Sequence, residues 1–141
     1  MNDIQMARIL GLISLGLGAA ELAAGRRASR ELGIEKPEVV ELFGGREILN
    51  GLAVLGYPDR AWPIWGRVVG DVADLALLAS ALGSGNRRRH NAAWAAIGVL
   101  GVTLVDIAIA VALTRREQKA LATASRTHIR RKIGEPLPKA A

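Results

Sequence analysis

Apolar residues are concentrated in four stretches of the chain, and short polar or basic connections separate them. The stretches cover about residues 7–25, 38–57, 62–83 and 92–114. Because a helix rises about 1.5 Å per residue, about 20 residues match the roughly 30 Å thickness of a bilayer's hydrocarbon core. The pattern therefore predicts an all-α protein, with a four-helix transmembrane bundle over residues 1–114.

The fourth stretch gives the strongest prediction of a span. Asp106 is its single charged residue, and apolar side chains cover its whole circumference. A soluble four-helix bundle would show a polar stripe on each helix, so the pattern disfavours that alternative. The first stretch is interpreted as a retained helix rather than a cleaved signal peptide, because no convincing small-residue cleavage site follows it.

The second stretch is the least apolar of the four. Glu41, Arg46, Glu47 and Asn50 interrupt it, although a broad apolar surface remains around them. Such a surface is typical of a helix with one face on lipid and the other on its neighbours. A buried surface helix and a re-entrant segment, which would give three spans, are the alternatives.

Ionisable residues inside the predicted spans are the most informative feature of the sequence. A lone charge at the centre of a bilayer costs about 2.5 to 3.5 kcal/mol on insertion scales, so such residues usually face one another, a hydrated cavity or a ligand. The predicted polar intramembrane cluster comprises Glu21, Arg46, Glu47, Asn50, Arg67, Asp71, Asp74 and Asp106.

Spacing suggests how these charges meet. Arg67, Asp71 and Asp74 stand at i, i+4 and i+7, which places them on one helix face with Arg67 within reach of Asp71. Arg46 is expected to meet an acid from another helix. The candidates are Glu21, Asp74 and Asp106.

The cluster contains two basic and five acidic residues, so three acids are expected to lack a basic partner. Those acids must be protonated, hydrated, hydrogen-bonded or matched by a bound cation. Two readings follow: the charges join the helices and set their register, or they form a proton or cation path or a polar ligand site.

Small residues predict close helix contacts. Gly66 and Gly70 form a GxxxG pattern, which serves packing within the chain or, alternatively, contact with a second copy or a partner membrane protein. The predicted packing residues are Ser14, Gly18, Gly44, Gly45, Gly51, Gly66 and Gly70.

Charge is distributed unevenly. The chain carries 19 Lys/Arg and 13 Asp/Glu for a net charge of +6, and the whole excess lies in residues 115–141. This segment is predicted to be a partly disordered juxtamembrane tail that contacts anionic lipids, with Leu121, Ile129 and Ile133 on one helical face. A merely solvated end is the alternative, and nucleic acid is disfavoured because the tail has no aromatic residue. The predicted headgroup contacts are Arg115, Arg116, Lys119, Arg126, Arg130, Arg131 and Lys132.

Other chemistry is limited. The chain has no cysteine, and its two histidines lie in basic polar stretches, so neither a metal site nor a cofactor is predicted. Trp62 and Trp65 follow the turn at Tyr57 to Arg60, as expected at a membrane interface. The two arginine-rich loops and the basic tail favour opposite orientations, so the sequence leaves the orientation open.

Several motifs together carry a family resemblance. They are Leu12 to Gly18 with Glu21, Gly45-Arg46-Glu47-Ile48 with Gly51, and Trp65-Gly66-Arg67-Val68 with Gly70-Asp71 and Asp74-Leu75-Ala76. Over about residues 4–114 the chain resembles small bacterial four-helix membrane proteins of the DoxX-like kind, similar to the membrane segment that accompanies polyketide cyclase/dehydrase-type domains. The resemblance implies a multi-pass bundle in the bacterial inner membrane and little about activity.

Three functional hypotheses follow. The leading one is a non-enzymatic accessory or scaffold bundle held together by its buried charges. The second is a small transporter or a proton- or cation-conducting protein that uses the intramembrane acids. A membrane enzyme acting on a lipid or quinone ranks last, because no nucleophile, metal cluster or phosphate-binding loop accompanies the acids.

Overall fold

The computed structural model describes residues 3–34, 37–83 and 85–134, with side chains as far as residue 129. Over these residues the chain forms four α-helices and no strand, which confirms the predicted all-α, four-helix fold. The helices are α1 (Asp3–Leu32), α2 (Pro37–Gly56), α3 (Ala61–Ser80) and α4 (Arg89–Gly134).

The helices form an antiparallel, up-and-down arrangement. Gly11 of α1 faces Gly51 of α2, and Gly18 faces Gly44, so the two helices run in opposite directions. The closest packing lies within two helical hairpins, α1 with α2 and α3 with α4. The hairpins then pack on each other through α2 with α3 and α1 with α4.

Local sequence explains where α1 ends. Gly33 adopts φ +69°, a conformation that a residue without a Cβ reaches at little cost. The Ile34 N–H then donates to the Ser29 carbonyl at 2.9 Å, and the Gly33 N–H donates to the Arg30 carbonyl at 3.3 Å. This pair of bonds is the Schellman motif that commonly ends helices.

Asn86 joins the ends of α1 and α3. Its side-chain Nδ2 donates to the Leu32 carbonyl at 2.9 Å and to the Ala81 carbonyl at 2.7 Å. Its Oδ1 accepts a hydrogen bond from the Arg88 backbone N–H at 2.8 Å. Because the last carbonyls of a helix have no partner within the helix, one side chain here satisfies acceptors at the ends of two helices.

Helix α4 is longer than the predicted fourth span. It has 46 residues and continues from Thr114 to Gly134 without a break, through most of the predicted tail. At about 1.5 Å per residue it is about 70 Å long. The tail sequence is rich in Ala, Arg and Lys, which favour helix, and has no glycine before Gly134. Residues 135–141 of the predicted tail lie outside the described residues.

A packed apolar cluster lies at the end of the bundle that holds Asp3 and the connection between α2 and α3. All four helices contribute to it. Its members are Ala7, Leu10, Val54, Ala61, Ile64, Ile109, Ala110 and Leu113. Further along the bundle axis the interior becomes polar, and the candidate site lies there.

Two of the four helices, α1 and α4, have the length and apolar composition needed to cross a membrane, with mean hydropathies of 1.5 and 2.4. In α2 and α3, every stretch of 18 residues contains at least three Asp, Glu or Arg residues. Five of these residues belong to the polar interior described next: Arg46, Glu47, Arg67, Asp71 and Asp74. Glu38 is exposed, and Glu41 packs over Gly25 at the surface of α1.

Candidate functional site

A layer of four polar residues, one from each helix, crosses the middle of the bundle. Ser14, Glu47, Arg67 and Asp106 form this layer, and each is at most 2% exposed. Arg67 Nε donates to Asp106 Oδ2 at 2.8 Å, and Arg67 Nη1 donates to Glu47 Oε2 at 3.2 Å. Arg67 also donates to the Ser14 hydroxyl, which in turn donates to Glu47. We call these four residues the Arg67 layer.

Arg46 adds a second guanidinium beside the Arg67 layer. Its Nη2 donates to Asp74 Oδ2 at 2.8 Å and to Glu47 Oε1 at 3.0 Å, and its Nη1 donates to the Gly70 carbonyl at 2.9 Å. The guanidinium carbon lies 4.9 Å from the centre of the Phe43 ring. Arg46 therefore meets Asp74, one of its three predicted partners, and Glu47 lies between two arginines.

A seven-residue spacing carries the polar interior to a second level. Glu21 follows Ser14, and Asp74 follows Arg67, by seven residues, or about 10 Å along a helix. At the same spacing α2 and α4 provide valines instead. These are Val40 and Val99. The polar groups therefore continue along α1 and α3 and stop along α2 and α4.

Among the described residues, two acids of the cluster, Glu21 and Asp71, form no ion pair with an arginine. The sequence count predicts three such acids. Arg46 contacts Glu47 and Asp74, and Arg67 contacts Glu47 and Asp106. The two arginines therefore contact three of the five acids, and two remain.

Arg67 does not form the predicted ion pair with Asp71. It contacts acids on α2 and α4 instead, whereas Asp71 has Thr103 and Asp106 as polar neighbours. A pair four residues apart on one helix is favoured on a solvated surface. In a buried site, a planar guanidinium with five donors satisfies more groups by reaching across to neighbouring helices.

Four carboxylates of the cluster each keep one buried oxygen that accepts no hydrogen bond from the described residues. Such oxygens retain the capacity to accept a hydrogen bond or a positive charge, because leaving them unpaired in a buried site is costly. The atoms are Glu21 Oε2, Asp71 Oδ2, Asp74 Oδ1 and Asp106 Oδ1. Asn50, the remaining predicted member, lies beside them with its Nδ2 also buried and unpartnered within the described chain.

Three of the acids are close enough to share a cation. Glu47, Asp71 and Asp74 each offer a carboxylate oxygen, and these oxygens lie within 4.8 Å of one another. Arg46 already contacts two of the three, and Arg67 contacts Glu47 as well. A metal ion would have to compete with both guanidinium groups, so the arrangement favours ion pairing between side chains.

Glycines set the distance between α1 and α2. A Cβ at Gly18 would lie 2.5 Å from the Gly44 carbonyl oxygen, and a Cβ at Gly51 would lie 2.8 Å from the Gly11 carbonyl oxygen. This close approach brings Ser14, midway between the two glycines of α1, against Glu47. Gly11 is not among the predicted packing residues, although its seven-residue spacing from Gly18 is a signal in the sequence.

The remaining predicted packing glycines behave differently. Gly70 leaves room for Arg46, since a Cβ there would lie 2.8 Å from the guanidinium carbon. A Cβ at Gly66 would meet only Asn50, at 3.7 Å, and a Cβ at Gly45 would meet no atom within 4 Å. The GxxxG pattern on α3 therefore contributes one close contact, to an arginine side chain, within the described residues.

Beyond the Arg67 layer, an apolar cavity of about 400 Å³ lies between the helices. All four helices contribute to its wall, and Glu21 and Asp74 are the ionisable residues among the described ones that line it. The sequence does not predict this cavity, because its volume depends on how the two hairpins pack against each other.

The predicted headgroup residues lie on the extension of α4. Arg115, Arg116, Lys119 and Arg126 are exposed, and Arg116 forms an ion pair with Asp3 at 2.8 Å. The side chains of the other three predicted residues lie outside the described part of the chain. These are Arg130, Arg131 and Lys132.

Comparison of the chain with protein-family models, with curated proteins and with solved structures finds no match. The DoxX-like resemblance therefore stays a prediction from the sequence motifs.

Proposed function

We propose that the chain is a four-span integral membrane protein, a non-enzymatic accessory or scaffold bundle whose helices are held together by the Arg67 layer and Arg46. The observation that carries the proposal is an inverted distribution of polarity. Charged side chains lie inside the middle of the bundle, and apolar side chains cover its outside.

The outer surface supports a lipid environment. No exposed residue is ionisable in residues 9–25 of α1, 42–56 of α2, 61–80 of α3 or 92–114 of α4. Large apolar side chains project from α2 and α3 as well as from the more apolar helices. Leu42, Leu49 and Val69, for example, are 70%, 69% and 71% exposed. Contiguous apolar surface of this extent is unusual on a soluble monomer.

Tryptophans border this surface at both ends. Trp65 Nε1 donates to Thr114 Oγ1 at 3.2 Å, so the indole is level with that residue of α4. Trp94, which is 62% exposed, stands 20 residues earlier on α4, or about 30 Å away along the helix. That distance matches the hydrocarbon thickness of a bilayer, and indoles are enriched at its two interfaces.

Two features favour a structural role for the charges. Arg67 alone contacts α1, α2 and α4 from α3, so it fixes the rotation and register of all four helices. The apolar cluster around Ile64 and Leu113 also closes the interior at one end, where Ile64 and Leu113 are each 1% exposed. The apolar cluster therefore interrupts the polar interior at this end of the bundle.

We also propose that the protein lies in the bacterial inner membrane, following the DoxX-like resemblance, and that the start of the α4 extension contacts anionic headgroups. Arg115 and Lys119 are exposed close to the Trp65 level and form no ion pair with another described residue, whereas the neighbouring Arg116 pairs with Asp3. Arg126 lies 12 residues beyond Thr114, about 18 Å further along the helix, so it extends past the headgroups if α4 crosses upright.

Membrane extraction and topology mapping test the proposal. The protein should stay with the membrane pellet after alkaline carbonate treatment. In a cysteine-free chain, single cysteines at Asp59 and Arg87 can be labelled with a membrane-impermeant maleimide. Four spans require the two positions to react from opposite sides of the membrane, and labelling from the same side, or release by carbonate, would contradict the model.

A second function, proton or cation conduction, is favoured by the unpartnered carboxylate oxygens of Asp71, Asp74 and Asp106. Vesicles reconstituted with the protein should then show pH or cation flux that Asp71→Asn and Asp106→Asn reduce. The absence of flux under both proton and cation gradients would eliminate this function and leave the scaffold role.

A further inference from the structure

Beyond the Arg67 layer, the cavity of about 400 Å³ lies between the two helical hairpins. Its wall is apolar and comes from every helix. Leu17, Phe43, Leu78 and Val102, one from each of α1 to α4, contribute to it. The volume is in the lower part of the range found for small-molecule sites, and convergence of several elements is typical of them.

Two carboxylates interrupt this apolar wall. Glu21 Oε2 and Asp74 Oδ1 are buried and accept no hydrogen bond from the described residues. The other oxygen of Asp74 is held by Arg46 at 2.8 Å, whereas Glu21 has no arginine partner among the described residues. Since Arg46 is also shared with Glu47, the wall of the cavity carries net negative charge when Glu21 and Asp74 are both ionised.

We propose that this cavity binds a monovalent organic cation with an apolar body, such as an amine or onium ion carried on aromatic or branched aliphatic groups. The positive centre would lie against Glu21 and Asp74, and the apolar body would fill the space lined by Phe43 and Leu78. A cation would pair with the ionised form of Glu21, whereas a neutral or anionic lipophile would require that carboxyl to stay protonated. A hydrated metal ion would lose its water shell to apolar walls.

Two probes of one shape and opposite charge test the proposal. Tetraphenylphosphonium and tetraphenylborate are titrated by equilibrium dialysis against the full-length protein in a non-ionic detergent, with uptake by protein-free micelles subtracted. We expect saturable binding of the cation at one site and no saturable binding of the anion. Equal binding of both probes would indicate an acyl-chain site without charge recognition and would overturn the proposal, as would no binding of the cation.

Matched variants identify the site. Glu21→Gln should weaken cation binding roughly tenfold or more, because close charge pairs in binding sites couple at least that strongly. Glu41→Gln makes the same change at an acid that packs over Gly25 outside the cavity, and it should leave affinity within about twofold. Equal affinities in the two variants would overturn the assignment.

A third variant keeps both carboxylates and fills the cavity. Ala95→Phe adds a ring to the wall of the cavity and should abolish cation binding. Circular dichroism and gel filtration show whether each variant is folded, and unchanged affinity in a folded Ala95→Phe protein would count against the cavity. Because membrane integration is measured separately, loss of the ligand proposal leaves the four-span proposal intact.

Discussion

Arg67 on α3 and Asp106 on α4 form an ion pair at 2.8 Å in which the two side chains are 3% and 0% exposed. A buried ion pair is not automatically stabilising, because both ions lose their hydration. Removing one partner is nevertheless severe, since the other charge is left uncompensated. The pair therefore acts more as a constraint on helix arrangement than as a source of net stability.

Arg67→Met should destabilise the protein by about 3 to 5 kcal/mol, since it leaves the carboxylates of Glu47 and Asp106 without the guanidinium between them. Thermal unfolding followed by circular dichroism in detergent measures the effect. Arg60→Met is the matched control, because Arg60 and Asp59 form a long surface pair at 3.9 Å with side chains 58% and 64% exposed. The control should change stability by at most about 1 kcal/mol.

A double-mutant cycle separates loss of the ion pair from loss of packing. Adding Asp106→Asn to Arg67→Met removes one uncompensated charge, so the double variant should be less destabilised than the sum of the two single variants. Additive effects, or an unchanged melting temperature in Arg67→Met, would show that the Arg67 layer does not hold the helices together.

Adjacent glycines on α2 offer a test of helix packing. Gly44→Ala should destabilise by about 1 to 3 kcal/mol, because the new Cβ would lie 2.8 Å from the Gly18 carbonyl oxygen and force α1 and α2 apart. Gly45→Ala makes the same change where no atom lies within 4 Å, and should be neutral or stabilising by up to about 1 kcal/mol. The same melt of both variants distinguishes them, and equal effects would contradict the contact.

Asn86→Ala should destabilise by about 1 to 3 kcal/mol, because the terminal carbonyls of Leu32 and Ala81 lose a shared donor. Asn91→Ala removes a single exposed hydrogen bond, from Asn91 Nδ2 to the Glu31 carbonyl at 2.9 Å, and should have a smaller effect. Hydrogen exchange in the last turn of α1 checks the location, and the increase there should be larger for the Asn86 variant than for the Asn91 variant, whose acceptor Glu31 lies in the same turn.

Anionic lipid should raise the melting temperature of the detergent-solubilised protein, since a ligand that binds the folded state stabilises it. The combined variant Arg115→Gln and Lys119→Gln should reduce the shift produced by phosphatidylglycerol. The control variant Arg87→Gln and Arg89→Gln removes two exposed charges at the opposite end of the bundle. A larger loss in the control would indicate that the other end faces the anionic leaflet.

The sequence predicts the four helices well, because each corresponds to a long apolar segment bounded by Pro, Gly or charged residues. It also predicts that the charged residues gather, since Arg67 and Asp106 would each be too costly alone among apolar residues. It does not predict that Arg67 prefers Asp106 to Asp71. That choice depends on the rotation of α3 against α4, which no spacing within one helix determines.

The sequence does not predict two other features, and the reasons differ. Gly11 and Gly51 meet only because α1 and α2 are antiparallel with a particular register, so their contact is a tertiary property. The sequence predicts that the fourth span ends at Thr114, where the basic residues begin. Charge ends a membrane span without ending a helix, and the helix runs on to Gly134.

The unbroken length of α4 has a mechanical consequence. Asp106 and Arg126 belong to one rod and stand 20 residues, or about 30 Å, apart. A partner that tilts or twists the projecting part would turn Asp106 relative to Arg67 by the same rotation, because a continuous helix has no hinge to absorb the motion. A movement of the outer end of α4 would thus be transmitted to the charged residues in the interior.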